Sequence, residues 1–184
     1  MIIRKITPEE IEHSYQFATD IITQNNQFNR FQKDAQVQIK RTFIGKLAEY
    51  SFFHYLQELG KNVDEGDMFK IYEGAENADD ADFILKDGRT IDIKTASLPF
   101  HKRIMIPVTQ LHLKKDLYVG VKLNFIDTSK SGILDHTKIN DAIIHGYIER
   151  EFIAATETQN FGEGNCKPYM LSDLKPINNI LEDF

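Results

Sequence analysis

The stretch that decides the fold reads Ala81-Asp82-Phe83-Ile84-Leu85-Lys86-Asp87-Gly88-Arg89-Thr90-Ile91-Asp92-Ile93-Lys94-Thr95. Two strand-like runs flank Asp87-Gly88, a strong local signal for a β-hairpin. Register then follows from parity. A two-residue Asp87-Gly88 turn sets Phe83 opposite Asp92 and leaves Asp82 on the wrong face. A three-residue loop, Lys86-Asp87-Gly88 with Gly88 left-handed, pairs Leu85 with Arg89 and aligns Asp82 with Asp92. The second register, which lets the two acids converge, is the one expected. Strand side chains alternate, so Ile84, Thr90, Asp92 and Lys94 face one way and Phe83, Leu85, Ile91 and Ile93 the other. Apolar residues on both faces predict a central hairpin covered on both sides.

Upstream, Thr7-Pro8-Glu9-Glu10 combines an N-cap, a proline at the first helical position and a glutamate at the third. It predicts a helix over roughly 8–24. Residues 25–34 are Asn/Gln-rich and read as a loop. A second helix is expected from about 35 to 59, with Val37, Ile44, Ala48, Ser51/Phe52, Tyr55 and Leu59 on its apolar face and Gly60 as its stop. It carries Gly45-Lys46-Leu47-Ala48-Glu49, where small Gly45 and Ala48 would allow close approach to a sheet. Downstream, Phe69–Tyr72, Arg103–Val108, Leu117–Phe125 and Ile143–Ile148 are read as strands. A helical turn at Glu149–Ala155 and a loop-rich tail through Leu171–Leu181 follow. Helices first and strands after describe an α/β (α+β mixed) domain, with a central mixed four- to five-stranded sheet flanked by helices.

Composition bounds the reading. The 184 residues contain 41% apolar and 27% charged side chains, enough for a single domain with a core of its own. The expected parts are helices over 1–60, a catalytic sheet core over 61–125, and a strand, helix and tail over 126–184. No apolar run approaches the roughly 18 residues of a membrane span, and Met1-Ile2-Ile3-Arg4-Lys5 lacks the features of a signal peptide. The single cysteine, Cys166, excludes an internal disulfide and makes a cytoplasmic setting the expectation. Zinc-ligand spacing, a Gly-rich phosphate loop and a Gly-x-Ser-x-Gly elbow are all missing. Net charge is −6, but it is unevenly spread: +4 over residues 30–46, +5 over 93–115, −7 over 58–82 and −5 over 141–184. Two basic stretches brought together by folding could face a polyanion.

The chemistry lies in Asp82, Asp92, Lys94 and Glu49. Two carboxylates near one point can bind Mg²⁺, or Mn²⁺ in its place, through hard oxygen donors. A lysine two residues beyond a metal-binding aspartate shares its strand face and can orient a water or offset developing negative charge. That combination suits hydrolysis of a phosphodiester. The tripeptide alone carries little weight, since Asp173-Leu174-Lys175 repeats it in the tail. Asp79 and Asp80 are alternatives to Asp82. An ionised Glu49 on an apolar helix face is costly unless paired or near a metal.

Gly45-Lys46-Leu47-Ala48-Glu49, Ala81-Asp82-Phe83 and Ile91-Asp92-Ile93-Lys94-Thr95 together resemble the PD-(D/E)XK nuclease superfamily, of restriction-endonuclease-like fold, over roughly residues 40–125. Gly146-Tyr147-Ile148 and Leu174-Lys175-Pro176-Ile177 extend the likeness weakly. Ala81 stands where the motif has proline. The resemblance implies Asp82 and Asp92 as metal ligands, Glu49 as a direct or water-mediated third, and Lys94 as the catalytic lysine. It also implies metal-dependent cleavage of DNA. Lys46, Thr95, Ser97, Lys102, Arg103, Gln110, Lys114 and Lys115 are candidate nucleic-acid contacts. His101, His112 and His136 read as surface or packing residues, and Cys166 lacks a local base.

The expectation is therefore a Mg²⁺-dependent endodeoxyribonuclease, with a type II restriction enzyme as its finer form; the sequence does not show whether a cognate methyltransferase partner exists. The expected enzyme acts on double-stranded DNA, as a homodimer because cutting both strands takes two centres. Loops 25–34, 97–103 and 126–141 would carry recognition. The alternatives are a structure-specific repair or junction nuclease and a non-catalytic nucleic-acid-binding module of the same fold.

Overall fold

The computed structural model describes residues 1–23, 34–66, 68–71, 81–125, 135–162 and 164–184. Tyr72, Asp79, Asp80 and most of the two recognition loops expected at 25–34 and 126–141 lie outside them. Strand β1 (Ile2–Lys5) leads into helices α1 (Pro8–Thr23) and α2 (Ala35–Glu58). Strands β2 (Phe83–Ile84), β3 (Thr90–Ala96), β4 (Arg103–Pro107), β5 (Leu117–Phe125) and β6 (Ile139–Glu149) follow. Helix α3 (Arg150–Ala155) and strands β7 (Gln159–Asn160) and β8 (Asn165–Met170) precede a tail of short 3₁₀ turns.

The helix ends form as their residues dictate. The Thr7 N–H donates to Glu10 Oε2 at 2.7 Å and the Glu10 N–H to Thr7 Oγ1 at 3.2 Å, a reciprocal capping box. Asp34 caps α2 by accepting from the Gln36 and Val37 N–H groups. Past Leu59, left-handed Gly60 donates to Gln57 O and Lys61 to Leu56 O, the Schellman pattern that stops the helix.

A five-stranded mixed sheet has the order β1-β6-β5-β3-β2, with β3 and β5 parallel and the other pairs antiparallel. Its helix-side face buries Ile91, Ile93, Val119 and Val121 against Leu47, Ala48, Phe52 and Leu56 of α2. A smaller three-stranded sheet, β4-β8-β7, and α3 cover part of the opposite face around Ile104, Ile106, Tyr118, Ile148 and Ile153. The two faces of β3 are thus unlike: one is the main core, and the other is the face that carries Asp92 and Lys94.

Several expectations need correction. The hairpin is not central: β2 is the sheet edge and Ile84 is 67% exposed, because no strand or described element covers it. Phe69–Ile71 forms no strand; Phe69 instead stacks on His13 at 3.9 Å between ring centres. Strand β4 belongs to the small sheet, and β6 begins four residues before Ile143. Leu59 is exposed at the turn that ends α2, while Ile39, Phe43, Leu47 and Leu56 do the packing. A Cβ on Gly45 would meet nothing within 4 Å, so its smallness serves no close approach.

Candidate active site

The β2–β3 loop has the expected three-residue form. Phe83 pairs with Ile91 and Ile84 with Thr90. The Leu85 N–H donates to Arg89 O and the Gly88 N–H to Leu85 O, with Gly88 at φ +87°. This register aligns Asp82 with Asp92. The ladder stops at Phe83, however, and the Asp82 carboxylate takes over at its end: Oδ2 accepts from the Ile93 N–H at 2.6 Å. Asp82 therefore acts as an extra rung where β2 leaves the edge of β3.

Burial, Glu49 and Asp92 together push the Asp82 carboxyl well above its usual range, against the Ile93 hydrogen bond and Lys46, which favour its charge. Three acids thus share one electrostatic site although two come from strands and one from a helix. Glu49 sits on α2, which packs on the Ile91/Ile93 face. Asp92 lies on the other face by alternation, and Asp82 stands at the sheet edge that separates them.

Each flanking lysine is tied to an acid. Lys94 Nζ lies 2.6 Å from Asp92 Oδ2 and donates to Gln110 Oε1 at 3.0 Å. That Asp92 oxygen is buried and meets Lys94 as an ion pair whose angles make no hydrogen bond. Lys46 pairs with Glu49 one helical turn away, its ammonium 5.2 Å from the centre of the Phe17 ring. Gln110 comes from a 3₁₀ turn over Val108–Leu113 that follows β4.

Among the described residues, no group of three or more His, Cys, Asp or Glu side chains is placed to hold a metal ion. The donors nevertheless suit a hard cation. Both aspartates offer oxygen, Asp92 Oδ2 is desolvated with Lys94 as its ion-pair partner, and the crowding at Asp82 is negative charge that a cation relieves. Mg²⁺ needs only one or two carboxylates when a substrate phosphate and waters complete its shell. Glu49 holds Lys46 through Oε2.

The remaining candidates scatter. Thr95 lies within the β3–β5 ladder opposite Val121. The Ser97 N–H donates to His101 Nδ1 at 3.3 Å. Lys102 is exposed, and Arg103 lies over the Phe161 ring beside Met170. Lys114 is exposed with a left-handed backbone that ends the 3₁₀ turn. Lys115 is buried, only 6% exposed. Sequence reasoning missed Tyr118. It pairs with Asp92 across β3–β5, is 1% exposed, and its buried hydroxyl has no hydrogen-bond partner among the described residues. Burial, with Asp92 next, raises its phenol above the usual range. Nothing in Leu117–Phe125 beyond strand character marked it. No helix among the described residues is long and apolar enough to cross a membrane. No family model, curated protein or solved structure matches the chain.

Proposed function

We propose that the chain is a metal-dependent DNA endonuclease centred on Asp82, Asp92 and Lys94, with Glu49 behind them. The observation that carries this reading is the convergence on Asp82. A helix acid and a strand acid both press on a carboxyl that the end of a hairpin holds in place, with a lysine on the same strand face as Asp92. Structure alone has little use for three acids at one sheet edge, since their mutual repulsion destabilises the fold until a cation or proton offsets it.

Asp82 and Asp92 would hold Mg²⁺, which when bound supplies Lewis acidity and a water of lowered pKa. Lys94 keeps its ammonium between Asp92 and Gln110, so its direction is set before substrate arrives. There it can donate to a non-bridging phosphate oxygen or orient an attacking water. Lys46 neutralises Glu49 in the free protein and can move to a phosphate when Glu49 takes another partner. Duplex cleavage by one centre per chain would call for a homodimer. Restriction is the finer form of the reading, and a structure-specific nuclease uses the same centre.

The test is cation-dependent stabilisation. Mg²⁺ or Mn²⁺ should raise the Tm of the wild type, and Asp92→Ala should abolish that rise. A chance arrangement of acids gives no rise that depends on Asp92.

A further inference from the structure

Beyond Lys94, strand β3 continues on the same face to Ala96, which pairs with Lys122 of β5. At about 3.3 Å per residue, that rung is roughly 7 Å past Lys94. A cavity of about 490 Å³ opens there. Lys102, Lys122, Leu171, Leu174 and Pro176 are among its lining residues. The size is that of a small-ligand pocket, and the lining pairs cations with an apolar wall.

The fold works to shape this cavity. Gly120 pairs with Gly146 but Val121 with Ile144, so His145 is an extra residue in β6, a β-bulge. The bulge turns the His145 ring to the cavity, where it is a lining residue. His145 Nε2 is buried without a hydrogen-bond partner among the described residues. Burial, with Lys122 next, holds the ring's pKa below the usual histidine range. Lys122 donates one N–H to Pro99 O at 2.9 Å, which fixes its position and leaves two donors. Lys102 is exposed at the rim and has no ion pair among the described residues. His101, another lining residue, accepts the Ser97 and Leu98 N–H groups at Nδ1, which places its neutral proton on Nε2.

We propose that this cavity is a nucleotide pocket, in which Lys102 and Lys122 hold a phosphate while the base packs on Leu171, Leu174 and Pro176 beside His145. Two cations ask for an anion, and the apolar lining asks for a flat hydrophobic body. A nucleotide has both. The proposal rests on the nuclease reading for its biological sense: the pocket shares a sheet face with Lys94 and would seat the nucleotide next to the phosphodiester that is cut.

The test is calorimetric titration of the full chain in EDTA with dAMP, deoxyadenosine, inorganic phosphate and the hexanucleotide oligo-dA. The expected result is saturable binding of dAMP, tighter than that of deoxyadenosine or phosphate. Lys122→Gln and Lys102→Ser should each weaken it by about tenfold, the effect of losing one charge-assisted hydrogen bond. Lys102 is exposed, so that variant stays folded even where Lys122→Gln does not. A hexanucleotide bound at least tenfold tighter than dAMP identifies a strand as the ligand, and equal affinities identify a free nucleotide. The proposal is overturned by absence of dAMP and hexanucleotide binding, by deoxyadenosine binding as tightly as dAMP, or by wild-type affinity in the lysine variants. Metal is absent throughout, so failure here leaves cleavage untouched. Conversely, lack of cleavage with binding intact removes the nuclease reading alone.

Discussion

The Asp82 carboxylate accepts the Ile93 backbone N–H at 2.6 Å, and this bond fixes the one acid that both Glu49 and Asp92 press upon. It spends one carboxylate oxygen on the backbone and leaves the other for a ligand. It also explains why β2 is so short: a side chain takes the N–H that a further main-chain rung would have used.

The raised Asp82 carboxyl gives a pH prediction for the metal-free protein. Its folded pKa lies above the unfolded value near 3.8, so its contribution is fully present below that value and is lost as pH rises through the folded pKa. Asp82→Asn removes the charge and keeps an acceptor for Ile93. In EDTA at neutral pH it should therefore be more stable than wild type, by about 3–6 °C in Tm, or about 1–2 kcal/mol. The difference should vanish on acidification. Thermal melts from pH 4 to 8 measure this, and an Asp82→Asn protein less stable than wild type at neutral pH would count against three converging acids.

Gln110 Oε1 accepts from Lys94 Nζ, and under the proposed nuclease reading it positions that lysine. Gln110→Ala should lower kcat by about tenfold and leave KM close to wild type, because one charge-assisted hydrogen bond is lost from a lysine that Asp92 still holds. Gln110→Glu should recover most of the loss, since it restores an acceptor. A Gln110→Ala enzyme with wild-type kcat would separate the 3₁₀ turn from the chemistry.

The hairpin was readable because strand parity is strict. Two acids on one face require an odd loop, and Gly88 supplies the left-handed residue that such a loop needs. The Thr7/Glu10 box and Gly60 were readable for a similar reason, being local patterns with one geometric solution. Strand β8 was not, since Asn165–Met170 contains Pro168 and most of its length pairs with β4, more than 50 residues away. Strand β1 is four residues long and likewise exists through its partner, β6. In the site, Asp82, Asp92 and Lys94 follow from register. The Lys46–Glu49 pair, the Tyr118 hydroxyl and the burial of Lys115 depend on tertiary packing that no local pattern records.

Gly146 marks where the tail closes on the sheet. Its φ is +150°, and a Cβ there would stand 2.1 Å from Lys175 O, a backbone atom held by two hydrogen bonds between Tyr147 and Lys175. Gly146→Ala should therefore cost about 3 kcal/mol or more. Chemical denaturation measures it. A loss below about 0.5 kcal/mol, the range of an ordinary surface change, would mean that the tail is not anchored there.

The most direct test is cleavage of supercoiled plasmid in Mg²⁺ or Mn²⁺, with Lys94→Ala and Asp92→Asn beside the wild type. The account predicts nicked or linear product from the wild type only with the cation, and at least about a hundredfold less from either variant. Discrete fragments would favour restriction, and nicking or smearing a structure-directed enzyme. Cleavage that persists undiminished in Lys94→Ala, or a wild type that cuts no supercoiled, branched or single-stranded DNA, would contradict it.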